Sequence, residues 1–210
     1  MTCAHCCGNY GPRGRDMSME VFEAAVSKLD AYSIQLGGGE PTMHPRFVEI
    51  LFKCLGTPDT ESIWLATNGS QTAISIALAK MARAGVISVA LSRDQYHDPI
   101  DPKVIEAFEG ADKRYPSKPD NDCRAIRSVT RVVRQGRATW GIPDCCCEGV
   151  MVLPDGVVRH CGCVKSKTYG NVLDPGFRLK QDPLRADECW FSKKYARQRQ
   201  RGGFPDRWGQ

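Results

Sequence analysis

The residues best placed to do chemistry are thiols. Cys3, Cys6 and Cys7 fall within the first seven positions with His5 among them, and Cys145, Cys146, Cys147, Cys161 and Cys163 form a second group; of the eleven cysteines only Cys54, Cys123 and Cys189 stand alone. Disulfide frameworks spread their cysteines along a chain, whereas metal sites bunch them, so the pattern points to metal ligation. Cys3-x-x-Cys6 spacing brings two thiolates to one centre, a geometry shared by zinc and iron–sulfur sites. A second chemical signal is Gly37-Gly38-Gly39-Glu40-Pro41. Successive glycines open backbone N–H and C=O groups to a ligand because no Cβ stands in the way.

Helices and strands must carry these groups. Ser18 is placed to cap a helix whose apolar residues Val21, Phe22, Ala25, Val26 and Leu29 share one face. Tyr32 to Leu36 reads as a strand ending in the glycine run. A helix after Pro45 follows, with Cys54 on its apolar stripe and therefore a core residue. The same alternation gives strand Ser62 to Ala66 closed by Thr67-Asn68-Gly69, helix Gln71 to Ala84, and strand Val86 to Leu91 closed by Ser92-Arg93-Asp94. A helix over Asp101 to Phe108, a polar loop over 112–127 and a strand over Ser128 to Val133 complete it. This is the rhythm of right-handed βαβ units on a parallel sheet, an α/β fold. In such sheets ligands sit at the carboxyl ends of the strands, where Gly37 to Glu40, Thr67 to Gly69 and Ser92 to Asp94 all fall.

Composition changes near Pro143. Val150 to Leu153, the turn Pro154-Asp155-Gly156 and Val157 to Cys161 read as a β-hairpin flanked by cysteines. Three regions are expected: a barrel-like domain over 1–142, a cysteine-rich hairpin module over 143–175 and a basic tail over 176–210. The apolar fraction of 41% and charged fraction of 25% suit a globular protein in water, and no apolar run approaches the roughly 18 residues of a membrane span. Without a readable signal peptide the expected location is the cytoplasm. The net charge of +5 is concentrated in Lys193, Lys194, Arg197, Arg199 and Arg201, read as a solvated helical tail; nucleic acid is not an expected partner.

A two-cysteine loop, a βα array and a Gly-Gly-Glu-Pro strand end together resemble the radical S-adenosylmethionine (SAM) superfamily, whose loop reads Cys-x-x-x-Cys-x-aromatic-Cys. Cys3 and Cys6 align with its second and third cysteines and His5 with the ring position. The resemblance implies a partial (β/α) barrel of parallel strands, here expected to lack the first strand and the first cluster cysteine, which would fall two residues before Met1. It further implies a [4Fe–4S] cluster, SAM chelated by the open iron, and reductive release of a 5′-deoxyadenosyl radical that abstracts hydrogen from a substrate. By the same resemblance His5 lies against the adenine, Gly38, Gly39 and Glu40 meet the methionyl amino group, and Asn68, Ser92 and Asp94 serve the ribose and carboxylate. An electron donor such as flavodoxin or ferredoxin is the implied partner.

The hairpin resembles the SPASM and twitch extensions of that superfamily, in Gly156-x-x-x-x-Cys161, the upstream cysteines and Tyr169-Gly170-Asn171. If the arms are extended, Cys145 and Cys147 share a face, as do Cys161 and Cys163, so four thiolates can converge on an auxiliary iron–sulfur cluster; a four-cysteine zinc knuckle fits the same residues. Cys146 and Cys189 are reserves. Such extensions imply a peptide or protein substrate. The alternative function is a non-catalytic or degenerate metal-binding protein holding zinc or a structural cluster.

Overall fold

The computed structural model describes residues 3–6, 8, 10–110, 122–128, 137, 149–161 and 166–179. Four parallel strands form one sheet in the sequential order β1 (Ser33–Leu36), β2 (Ser62–Thr67), β3 (Ser88–Ser92) and β4 (Arg124–Arg127). All four run parallel, with Ile34 opposite Ile63, Leu65 opposite Val89 and Leu91 opposite Ile126. Helices α1 (Met19–Lys28), α2 (Phe47–Leu55), α3 (Thr72–Arg83) and α4 (Pro102–Phe108) precede or separate the strands. This is the α/β arrangement expected of a partial barrel; among the described residues the sheet is open, and β1 forms one edge with Ser33 and Gln35 exposed.

The local signals act as the sequence suggests. The Ser18 hydroxyl accepts the Val21 N–H at 3.2 Å and starts α1. Asp101 caps α4 by accepting the Lys103 N–H at 2.9 Å, with Pro102 at the first helical position, where a missing N–H costs nothing. Cys54 is 1% exposed in a core that includes Phe47, Leu51, Leu65, Leu78, Val89, Leu91, Val104 and Phe108.

One expectation is corrected. The segment read as the end of a loop contains β4, ahead of the strand placed at Ser128 to Val133, of which residues 129–133 lie outside the described residues. Arg124 obscures β4 in sequence, for it is a buried arginine, 5% exposed, whose guanidinium donates to both Asp122 oxygens (2.8 and 2.6 Å) and to the Ala107 carbonyl (2.6 Å). A buried charge is tolerated where it is paired and hydrogen-bonded in this way.

A second, antiparallel sheet joins β5 (Met151–Val152), β6 (Val157–Arg159) and β7 (Thr168–Asn171). The hairpin is as expected; the third strand, formed around Tyr169-Gly170-Asn171, was not. Helix α1 serves both sheets, since Met19 and Phe22 enter the core of the parallel sheet while Val21 packs with Val158, Val172 and Phe177. Lys28 at its last turn donates to the carbonyls of Val172 (2.7 Å) and Asp174 (2.9 Å), which fastens the end of β7 to α1.

Candidate active site at the carboxyl end of the parallel sheet

The strand ends divide into open and packed. After β1, a Cβ built on Gly37 or Gly38 would meet nothing within 4 Å, and Gly38 has φ of +132°, which side chains disfavour. The Glu40 carboxylate is engaged by the protein: Oε1 accepts from the Thr42 N–H (3.2 Å), the Thr42 hydroxyl (2.7 Å) and the Thr67 hydroxyl (2.8 Å), and Oε2 from the Asn68 N–H (2.7 Å). It ties the glycine loop to the end of β2. Asn68 in turn accepts the Ser70 N–H at 2.8 Å, turning the chain into α3. His44 also bridges elements: its Nε2 donates to the Met17 carbonyl at 2.9 Å while Nδ1 accepts the Arg46 N–H at 3.0 Å.

The cysteine loop lies across these ends. The Cys6 N–H donates to the Cys3 carbonyl at 3.2 Å, a tight turn, and Cys6 Sγ accepts the Tyr10 N–H at 3.3 Å. Burial, and then the neighbouring Cys6, push the Cys3 thiol above its ordinary value, the response of two sulfurs held near each other. Arg137 straps the loop from far along the chain: its backbone N–H donates to the Cys6 carbonyl (3.1 Å), its Nε to the Cys3 carbonyl (3.1 Å), and its Nη2 to the Tyr10 carbonyl. Nothing in the sequence marked Arg137 for this. Tyr10 lies beside the glycine run, its Cβ 3.6 Å from where a Gly39 Cβ would stand.

His5 reaches the end of β3. Its ring is 4.9 Å from that of Tyr96 and 5.1 Å from that of His97, centroid to centroid, and its Nδ1 is buried without a hydrogen-bond partner. Burial holds the imidazole below its ordinary pKa, with Asp94 pulling the other way. Asp94 Oδ1 accepts from the Tyr96 N–H (2.9 Å) and from His97 Nδ1 (2.8 Å). Ser92 closes β3 opposite Arg127. His97, not singled out in the sequence, thus pairs with Asp94, their side chains 9% and 7% exposed; the signal available was its spacing of three from Asp94.

Residues 1–113, more than half of the chain, match the Radical SAM superfamily. The chain belongs to that superfamily. A GTP 3',8-cyclase of Photorhabdus laumondii subsp. laumondii is 31% identical over 117 residues, which are 53% of this chain and 34% of that protein. The matched stretch therefore spans about a third of the curated relative's length. No solved structure matches. Radical SAM membership implies a [4Fe–4S] cluster and SAM. The residues present fit both in kind: Cys3 and Cys6 share a turn, and the glycine edge is open where a ligand's polar groups would approach.

The hairpin sheet tells less. Cys161 is 5% exposed and its N–H donates to Ser166 Oγ at 3.0 Å; Cys145, Cys146, Cys147, Cys163 and Cys189 lie outside the described residues, as does the basic run from Lys193 to Arg201. His160, not singled out in the sequence, is 3% exposed with both ring nitrogens buried and unpartnered. A neutral imidazole has one donor and one acceptor to satisfy, so an orphaned ring beside Cys161 is a polar group in want of a partner.

Proposed function

We propose that this radical SAM protein binds a [4Fe–4S] cluster through Cys3 and Cys6 and uses it to cleave SAM reductively. The observation that carries the reading is the seat of the cysteine loop, with Tyr10 against the glycine edge after β1 and His5 against Tyr96 and His97 after β3. When bound, the cluster supplies the electron for cleavage; the protein supplies position and exclusion of water. Gly38 and Gly39 offer backbone groups to the methionyl end of SAM, while Glu40 acts through the hydrogen bonds that hold the glycine loop against β2. His5 flanks the adenine, and Asn68, Ser92 and Asp94 line the side toward the ribose and carboxylate. A flavodoxin or ferredoxin is the proposed electron donor. The hairpin cysteines Cys145, Cys147, Cys161 and Cys163 are proposed to hold an auxiliary cluster, with zinc as the alternative occupant. The matched relative is named for GTP and lends the expected peptide or protein substrate no support.

Anaerobic reconstitution with iron and sulfide, metal counting, and a test for 5′-deoxyadenosine from SAM and dithionite decide the matter. Iron and sulfide in cluster ratio with deoxyadenosine formed is the expected result. Zinc alone, without deoxyadenosine, overturns it in favour of a non-catalytic metal protein.

A further inference from the structure

We infer that Arg137 is a positioning residue for the cluster proposed at Cys3 and Cys6: it holds the cysteine loop in its turn, and its fixed positive charge eases one-electron reduction of the cluster. The inference rests on that reading of the loop. Within the loop the Cys6 N–H meets the Cys3 carbonyl at 3.2 Å, the long end of the ordinary range, so the turn gains from outside support. Arg137 supplies it with three donors. Its backbone N–H donates to the Cys6 carbonyl and its Nε to the Cys3 carbonyl, each at 3.1 Å, and its Nη2 donates to the Tyr10 carbonyl. The Cys3 carbonyl thereby uses both lone pairs, one on Cys6 and one on Arg137. A guanidinium is a rigid planar fork, so Nε and Nη2 together fix Cys3 against Tyr10. Lysine, a point charge on a flexible stem, cannot reproduce that fork.

The same contact brings a permanent charge to the thiols. Covalent geometry keeps a cysteine sulfur within about 5 Å of its own carbonyl oxygen, and Nε is 3.1 Å from the Cys3 oxygen, so the guanidinium stands within roughly 8 Å of Cys3 Sγ. That is no farther than the screening length of physiological salt, and the charge is felt there. An added electron makes a thiolate-held cluster more negative, and a nearby positive charge favours that state.

The test compares Arg137→Lys, which keeps the charge and loses the fork, with Arg137→Gln, which loses the charge. In the full chain stripped of metal, amide hydrogen exchange over residues 3–10 should speed by about tenfold in both variants, while exchange in α3 stays as in wild type and shows the fold intact. In the reconstituted chain, a redox titration followed by electron paramagnetic resonance reads the midpoint of the loop cluster, identified as the signal that Cys6→Ala removes. Arg137→Gln should lower that midpoint by about 59 mV, a tenfold change in the one-electron equilibrium, and Arg137→Lys by roughly half that or less. A role confined to shape would move the two variants alike, so equal midpoints in Arg137→Gln and Arg137→Lys, or in Arg137→Gln and wild type, overturn the charge role. Unchanged exchange over residues 3–10 in both variants overturns the support role. A wild type that takes up no loop cluster, with exchange still faster in the variants, leaves the support standing and overturns the cluster reading itself, which separates the two failures.

Discussion

Gly38 and Gly69 each follow a parallel strand and each take a positive φ, +132° and +78°. At Gly69 a Cβ would come within 2.9 Å of Ile100 Cγ2 and 3.1 Å of Leu91 Cδ1, whereas at Gly38 it would meet nothing within 4 Å. The turn after β2 is therefore closed by packing at Gly69, whereas the glycine loop after β1 is left open at Gly38. The end of β3 differs from both, since the polar and aromatic side chains of His5, Asp94, Tyr96 and His97 gather there. The difference teaches that a polar, glycine-bearing strand end is a binding edge only where the space beyond it is empty. It also separates residues whose loss should abolish chemistry from those whose loss should loosen the fold.

The largest expected effect is chemical. Cys6→Ala removes one of two thiols in the loop turn and should abolish both the iron bound there and deoxyadenosine formation, with little change in thermal midpoint. Iron counting beside a melting curve checks it, and a variant that retains full iron would place the cluster elsewhere. Glu40→Ala should do the reverse first. Four hydrogen bonds converge on this carboxylate from Thr42, Thr67 and Asn68, so its removal should cost about 3 kcal/mol in a denaturant titration, with SAM binding lost as a consequence of the loosened loop. Glu40→Gln, which keeps the shape but donates from one end, should fall between.

The glycine pair sharpens the contrast directly. Gly69→Ala adds a left-handed conformation to a collision with packed side chains and should cost about 2–3 kcal/mol. Gly38→Ala has no collision and should cost about 1–2 kcal/mol from φ alone, yet weaken SAM more than Gly69→Ala does. Matched denaturant and SAM titrations test both, and equal effects on SAM would remove the distinction between the two ends.

How far the sequence discloses this depends on where the information is local. Ser18, Asp101 and the apolar stripe of α2 state their roles within a few residues, because capping and amphipathic burial are local physics. The glycine edge and the Cys3–Cys6 turn are equally compact. By contrast, β4 is a strand because it docks on β3 and because Asp122 and the Ala107 carbonyl neutralise a buried Arg124, neither of which its charged sequence announces. The Glu40 carboxylate is bound by Thr67 and Asn68, 27 and 28 positions away, partners that its local sequence does not announce. Arg137 bonds a carbonyl 134 positions away, and only folding reveals such a partner. Residues that reach across the fold are thus the ones that sequence reading leaves undervalued.

The smallest expected effect compares a half-buried thiol with a buried one. Cys3 is raised by burial and by Cys6 in a loop suited to metal, whereas Cys54 is raised by burial alone, up to about 11, inside α2. Cys54 should therefore resist alkylation in the native apo-protein while Cys3 and Cys6 react. Its effect on stability has a definite sign. Above the ordinary thiol value of 9.0 the unfolded chain gives up a proton that the folded chain keeps until about 11, so the stabilisation present at lower pH is lost as pH rises through that window. Cys54→Ala leaves a small cavity and lowers stability at neutral pH, but it should make the decline between pH 9 and 11 shallower than in wild type. Denaturant midpoints collected across that range isolate the slope from the offset; parallel curves would mean that Cys54 ionises in the native state as readily as in the unfolded one, and that the α2 stripe is less closed to solvent than its 1% exposure implies.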